Sequence, residues 1–106
     1  MTVFKASAHL LQMRLTPEQV RIIREPIVDL DPQAKVLLFG SRTDDRARGG
    51  DIDVLCLSDK IDRHQRRRLR RHISDRFDGQ KVDLLVAADL SKPFVRMVLE
   101  NAVPLT

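Results

Sequence analysis

The stretch FGSRTDDRARGGDIDVL, residues 39 to 55, constrains this chain more than any other. An apolar run, KVLLF from Lys35 to Phe39, stops abruptly at Gly40-Ser41, and a second apolar run opens with Asp51 and Asp53 alternating with Ile52 and Val54. Short apolar runs rich in strand-forming residues and ended by glycine read as strands. Side chains alternate across a strand, so Asp51 and Asp53 share one face while Ile52 and Val54 point to the other. Two carboxylates thus converge where the second strand begins.

Such a pair suits a hard divalent cation. Mg²⁺ takes oxygen ligands, usually one or two carboxylates together with substrate phosphates, and two such ions can clamp the attacking and leaving oxygens of a displacement. The Gly40-Ser41 turn complements it, since Gly40 lets the backbone approach a ligand closely. Ser41 is a candidate N-cap for a short helical turn through Arg42 to Ala47, whose exposed N–H groups favour phosphate oxygens. Arg42 adds a charge-assisted contact. Gly49-Gly50 frees the backbone entering the second strand, and Asp44 and Asp45 read as loop surface.

The order and separation of these parts, LFGS then RTDDRARGG then DIDV, closely resemble the nucleotidyltransferases of the DNA polymerase β type, and the small size and GSR start are most similar to the minimal nucleotidyltransferases, the MNT proteins. The chain departs from the commonest GSRARG form by interposing TDD, which leaves Arg46 and Arg48 without an assigned role. The resemblance implies a third carboxylate on a later strand, and KVDLLVAA supplies Asp83 amid Val82, Leu84, Leu85 and Val86. A charge in such a run is costly unless paired or metal-bound. An Asp on the solvent face of an edge strand, or one paired with an Arg, remains the alternative.

What the resemblance implies is a Mg²⁺-dependent transferase, with two metal ions held by Asp51, Asp53 and Asp83 and an NTP, most plausibly ATP, held by Gly40, Ser41 and Arg42. An acceptor hydroxyl activated near Asp83 attacks the α-phosphate. MNT proteins pair with helical HEPN toxins, and some transfer AMP to a toxin tyrosine, so a HEPN-type protein is the implied partner. This chain contains no Tyr; any tyrosine acceptor belongs to another protein. Two other readings stay open: an antitoxin acting by contact alone, and a transferase acting on a small molecule such as an aminoglycoside.

Length and composition fit one domain spanning residues 1–106, with 1–12 as an extra strand or a mobile arm. A hydrophobic share of 42% is ordinary for a globular chain. The single Cys56 excludes an internal disulfide and reads as a small buried side chain. The N-terminal apolar stretch is too short for a convincing signal peptide and no run approaches membrane-spanning length, so a cytoplasmic protein is expected. The oligomeric state, alone or with a partner, stays open.

Caps and periodicity predict an α/β fold of the α+β kind, a small mixed sheet with helices packed against it. Thr16-Pro17-Glu18-Gln19 reads as a capping box with Pro at the first helical position. Val20, Ile23, Ile27 and Leu30 recur at helical spacing, with Pro26 expected to kink the helix or end it early. Asp31-Pro32-Gln33 turns into the first strand and Asp51–Leu57 forms the second. Ser58-Asp59 is expected to open a second helix reaching about Phe77, whose apolar stripe is Ile61, Leu69, Ile73 and Phe77. A third strand follows Asp78-Gly79-Gln80. Ser91 is expected to cap a last helix, with Phe94, Met97, Val98 and Leu99 forming its apolar face.

Charge is concentrated on the second helix. Between Lys60 and Arg76, eight lysines and arginines stand against Asp62 and Asp75, a local charge of +6 in a chain whose net charge is +4. Arg63, Arg66, Arg67, Arg70 and Arg71 should surround the docked stripe as a solvated face, a protein-binding surface or a nucleic-acid surface. With no Tyr or Trp and only four Phe, stacking platforms are lacking, so nucleic acid is not expected as the primary partner. His9, His64 and His72 have no ligand partners at metal-site spacing.

Overall fold

The computed structural model describes residues 15–39, 52–77 and 80–105. Thr16 starts helix α1 (Pro17–Leu30) as a reciprocal cap: its hydroxyl accepts from the Gln19 N–H at 3.1 Å and the Gln19 side chain accepts from the Thr16 N–H at 2.9 Å. Pro26 does not end the helix, which runs on to Leu30. A proline inside a helix costs about 3 kcal/mol, whereas fully burying each isoleucine returns about 2 kcal/mol. Ile23 and Ile27, on either side of Pro26, are both fully buried. Leu30, expected in the core, is instead 42% exposed at the margin of the groove beside the next helix.

Strand β1 (Lys35–Phe39) follows the Pro32-Gln33 turn, and β2 (Ile52–Leu57) pairs with it antiparallel. The chain then crosses through helix α2 (Arg63–Ser74) to β3 (Val82–Ala87), parallel to β2. Helix α3 (Pro93–Glu100) leads into a two-residue strand β4 (Val103–Pro104) on the far side of β1. The result is a mixed sheet ordered β3-β2-β1-β4. β4 has no sequence signature of its own. Its Pro104 is tolerated because the strand lies at an edge, and Leu105 donates its N–H to the Val36 carbonyl at 2.9 Å.

Two apolar layers lie on the two sheet faces. On one, Val36, Leu38, Ile52, Val54, Cys56, Val82 and Leu84 meet Ile23 and Ile27 of α1 and Leu69 and Ile73 of α2. Ile61 and Phe77 extend this layer, as the stripe predicted. On the other, Leu37 and Leu55 meet Val95 and Val98 of α3.

Four expectations are corrected. α2 begins at Arg63, capped by Asp62, whose carboxylate accepts from the Gln65 N–H at 2.8 Å in a second capping box. Ser58 does not cap it: its N–H still belongs to the β2–β3 ladder, donating to the Ala87 carbonyl, and its hydroxyl donates to buried Asp31 at 2.6 Å while accepting from the Lys60 N–H at 3.1 Å, in a turn that ends before the helix begins. α2 also stops at Ser74, and a turn carries the chain to Phe77. Ser91 does not cap α3 either: its N–H is held by the Asp89 carboxylate at 2.9 Å, and Lys92 occupies the cap position without a side-chain bond. Finally, Phe94 and Met97 are 55% and 57% exposed, and the inward pair is Val95 and Val98. Both pairs have the same helical spacing, so periodicity alone cannot choose between faces one residue apart.

Candidate active site

Register assembles the site. Phe39 at the end of β1 pairs with Asp53 of β2, and Asp53 pairs with Asp83 of β3, so the three residues form one row across three strands. Residues in register on parallel strands point to the same face about 4.8 Å apart. Ile52 and Val54 flank Asp53 but lie in the layer beneath α1 and α2, as Val82 and Leu84 do around Asp83. Both carboxylates therefore rise from the opposite face, the one that carries Leu55, Leu85 and α3. Asp53 and Asp83 are half-buried.

The row lies at one end of the sheet. Phe39 ends β1 and Ile52 begins β2 at this end. Gly40, Ser41, Arg42 and Asp51 themselves lie outside the described residues, together with Asp44 to Gly50 and His9. Asp53 and Asp83 are the two sequence-derived carboxylates that the described structure brings together. Among the described residues no group of three or more His, Cys, Asp or Glu can hold a metal ion. Asp51 is the remaining member of the expected set.

Asp83 thus lies on an edge strand, as the alternative reading held, yet beside a second carboxylate. Two adjacent carboxylates repel unless a cation or proton lies between them. They are hard oxygen donors of the kind a divalent cation takes, and the thiol of Cys56 is buried on the opposite face, away from them. Burial pushes the Cys56 thiol up to about 12, with the charge of Asp31 adding to the effect. It is a packing residue.

Sequence reasoning missed one residue bordering the site and one contact at the far end of the sheet. Phe39 borders the row because of the β1–β2 register, which a loop between the strands hides. The Asp31–Ser58 bond joins the end of α1 to the end of β2 across 27 residues of chain, a non-local contact without a motif. Asp31 is 2% exposed. The Ser58 hydroxyl, followed by the Gln33 N–H and the Lys60 charge, holds its carboxyl below the usual range despite burial.

The structure is thus a small mixed sheet with two carboxylates in register at one end. The chain belongs to the nucleotidyltransferase domain family, whose model matches residues 20–106. No curated protein matches it. Among solved structures, a chain of a toxin–antitoxin crystal structure with AMP-PNP is similar, at 24% identity and a TM-score of 0.68, covering 87% of this chain and 73% of that one. A chain of the MntA–HepT toxin–antitoxin crystal structure aligns at 22% identity and a TM-score of 0.65, covering 86% and 72%. The same figures hold for a re-refined structure of the tri-AMPylated Shewanella oneidensis HEPN toxin in complex with MNT antitoxin. At these identities the likeness is one of fold, and it agrees with the expected mixed sheet and packed helices. Among the described residues, no helix is long and apolar enough to cross a membrane.

Proposed function

We propose that this chain is a Mg²⁺-dependent nucleotidyltransferase of the MNT antitoxin type, moving AMP from ATP to a tyrosine hydroxyl of a partner HEPN toxin. The carrying observation is the registered pair Asp53–Asp83 at the sheet end where β1 stops at Phe39, the residue before Gly40-Ser41 in the sequence. Family membership and the resemblance in fold to the MNT–HEPN structures, one of them tri-AMPylated, support the reading.

In this mechanism Gly40 and Ser41 hold the triphosphate, and Arg42 pairs with a phosphate oxygen. Asp51, Asp53 and Asp83 are the carboxylates that would hold Mg²⁺. Bound there, the cation offsets triphosphate charge and polarises the α-phosphate. Asp83, at the outer strand, faces the acceptor and takes its hydroxyl proton. The hydroxyl oxygen bonds to the α-phosphorus as the bond from that phosphorus to the bridging oxygen breaks, and pyrophosphate leaves. The acceptor tyrosine is supplied by the other protein, since this chain has none. A cytoplasmic setting follows from an ATP-dependent reaction on an intracellular partner.

The test is transfer of labelled AMP to a co-expressed HEPN protein in Mg²⁺. Label should appear on the toxin and vanish with Asp51→Ala/Asp53→Ala. Undiminished labelling by that variant contradicts the metal assignment, and full neutralisation of the toxin without labelling favours an antitoxin that works by contact.

A further inference from the structure

The cationic flank of α2 is the largest feature left unused by the carboxylate row. Arg66 and Arg67 each stand three or four residues from both Arg63 and Arg70, so the four lie along one side of the helix. Leu69 and Ile73, 5% and 0% exposed, dock that helix on the sheet and hold the arginines on a rigid element. The other side of α2, with Gln65, Arg68 and His72, lines the groove shared with α1. The four arginines are therefore turned away from α1, on a helix that packs against the outer strand β3. Arg63 and Arg67 are exposed, Arg66 and Arg70 half-buried.

No ion pair engages any of the four among the described residues, where the ion pair is Arg21–Glu18 on α1. Asp62 is committed to the Gln65 N–H as the helix cap, and Asp75 lines a hollow with Arg68 and His72 on the other side. Like charges at these spacings repel. Guanidinium groups pair carboxylates through two parallel bonds, so a run of them at helical period matches an anionic surface of similar period.

We propose that this flank docks an acidic segment of the protein that accepts the nucleotidyl group; the proposal rests on the reading of a protein acceptor given above. Position favours this partner. Asp83 lies on the outer strand with its carboxylate on the face that carries α3, and α2 packs under the other face of that same strand, so a protein partner that wraps the open edge of β3 meets both. Chemistry disfavours a nucleic acid strand, because α2 carries no aromatic ring on which bases could stack.

The test uses the full chain and two fluorescent probes, polyglutamate of about twenty residues and single-stranded RNA of about twenty nucleotides, read by anisotropy at several salt concentrations. The chain should bind polyglutamate, and R63E/R67E/R70E should weaken binding about tenfold or more, whereas K35E/K81E/K92E, an equal charge change elsewhere, should alter it less than about twofold. If the reversal variant melts early, R63Q/R67Q/R70Q reads the same loss without added repulsion. Absence of polyglutamate binding, equal losses in both charge-reversed variants, or tighter binding of RNA through the same arginines overturns the proposal. Mg²⁺-dependent ATP binding by R63E/R67E/R70E should persist, and it reports separately on the nucleotide site.

Discussion

The two faces of the sheet are made by the same strands and behave differently. Beneath α1 and α2, residues such as Ile52, Val54, Val82 and Leu84 form one continuous apolar layer. On the other face, α3 covers Leu37 and Leu55, while Asp53 and Asp83 stand in a row at the strand ends. The alternation that buries Val54 is the same that presents Asp53, so the stability of the first face positions the chemistry of the second. Mutations on the two faces should therefore separate activity from stability.

The largest expected effect lies on the carboxylate face. Asp53→Ala should lower AMP transfer by about a hundredfold or more, while moving the melting temperature little because Asp53 is only half-buried. An equal loss of stability and activity would collapse the distinction between the faces. Next comes the covered face: Ile73→Ala removes a fully buried side chain, and denaturant unfolding should show a loss of about 2–5 kcal/mol. A loss below about 1 kcal/mol would mean that α2 is not docked as described.

A smaller effect concerns the far end of the sheet. The Asp31 carboxyl is held below its ordinary value of 3.8, chiefly by the Ser58 hydroxyl. A depressed folded value means that the ionised group contributes stability above the unfolded value, and that this contribution fades as pH falls through the folded value. Ser58→Ala should thus destabilise at neutral pH and flatten the decline below about pH 4 seen in acid unfolding curves. Identical curves for the two proteins would remove Asp31 from the account. The smallest effect is at Phe94, 55% exposed on α3, where Phe94→Ser should change stability by less than about 0.5 kcal/mol in thermal melts. A large loss there would mean that this face of α3 is covered.

The helix starts show how far sequence reaches. Thr16 and Gln19 are three residues apart and satisfy each other locally, so their capping box was readable. The equivalent pair Asp62 and Gln65 was equally local but lay behind Ser58, an apparent cap whose N–H and hydroxyl are taken by Ala87 and Asp31. Those partners become neighbours only when the sheet forms. β4 and the inward choice of Val95 over Phe94 likewise depend on which surface the sheet offers. In the site, strand alternation puts Asp53 on the face opposite Ile52 and Val54, and the family resemblance pointed to Asp83, while Asp51 lies outside the described residues. The direct pairing of Asp53 with Asp83 belongs to the parallel β2–β3 register set by the α2 crossover, and the place of Phe39 beside them to the antiparallel β1–β2 register. No periodicity within one strand encodes it.

The central claim, that the Asp53–Asp83 row is a live metal–nucleotide site, is tested most directly by titrating ATP calorimetrically with and without Mg²⁺. The intact chain should bind ATP in a Mg²⁺-dependent manner, and Asp53→Asn/Asp83→Asn should lose that dependence while keeping its melting temperature. ATP binding that is indifferent to Mg²⁺, or unchanged in the doubly substituted chain, contradicts the account.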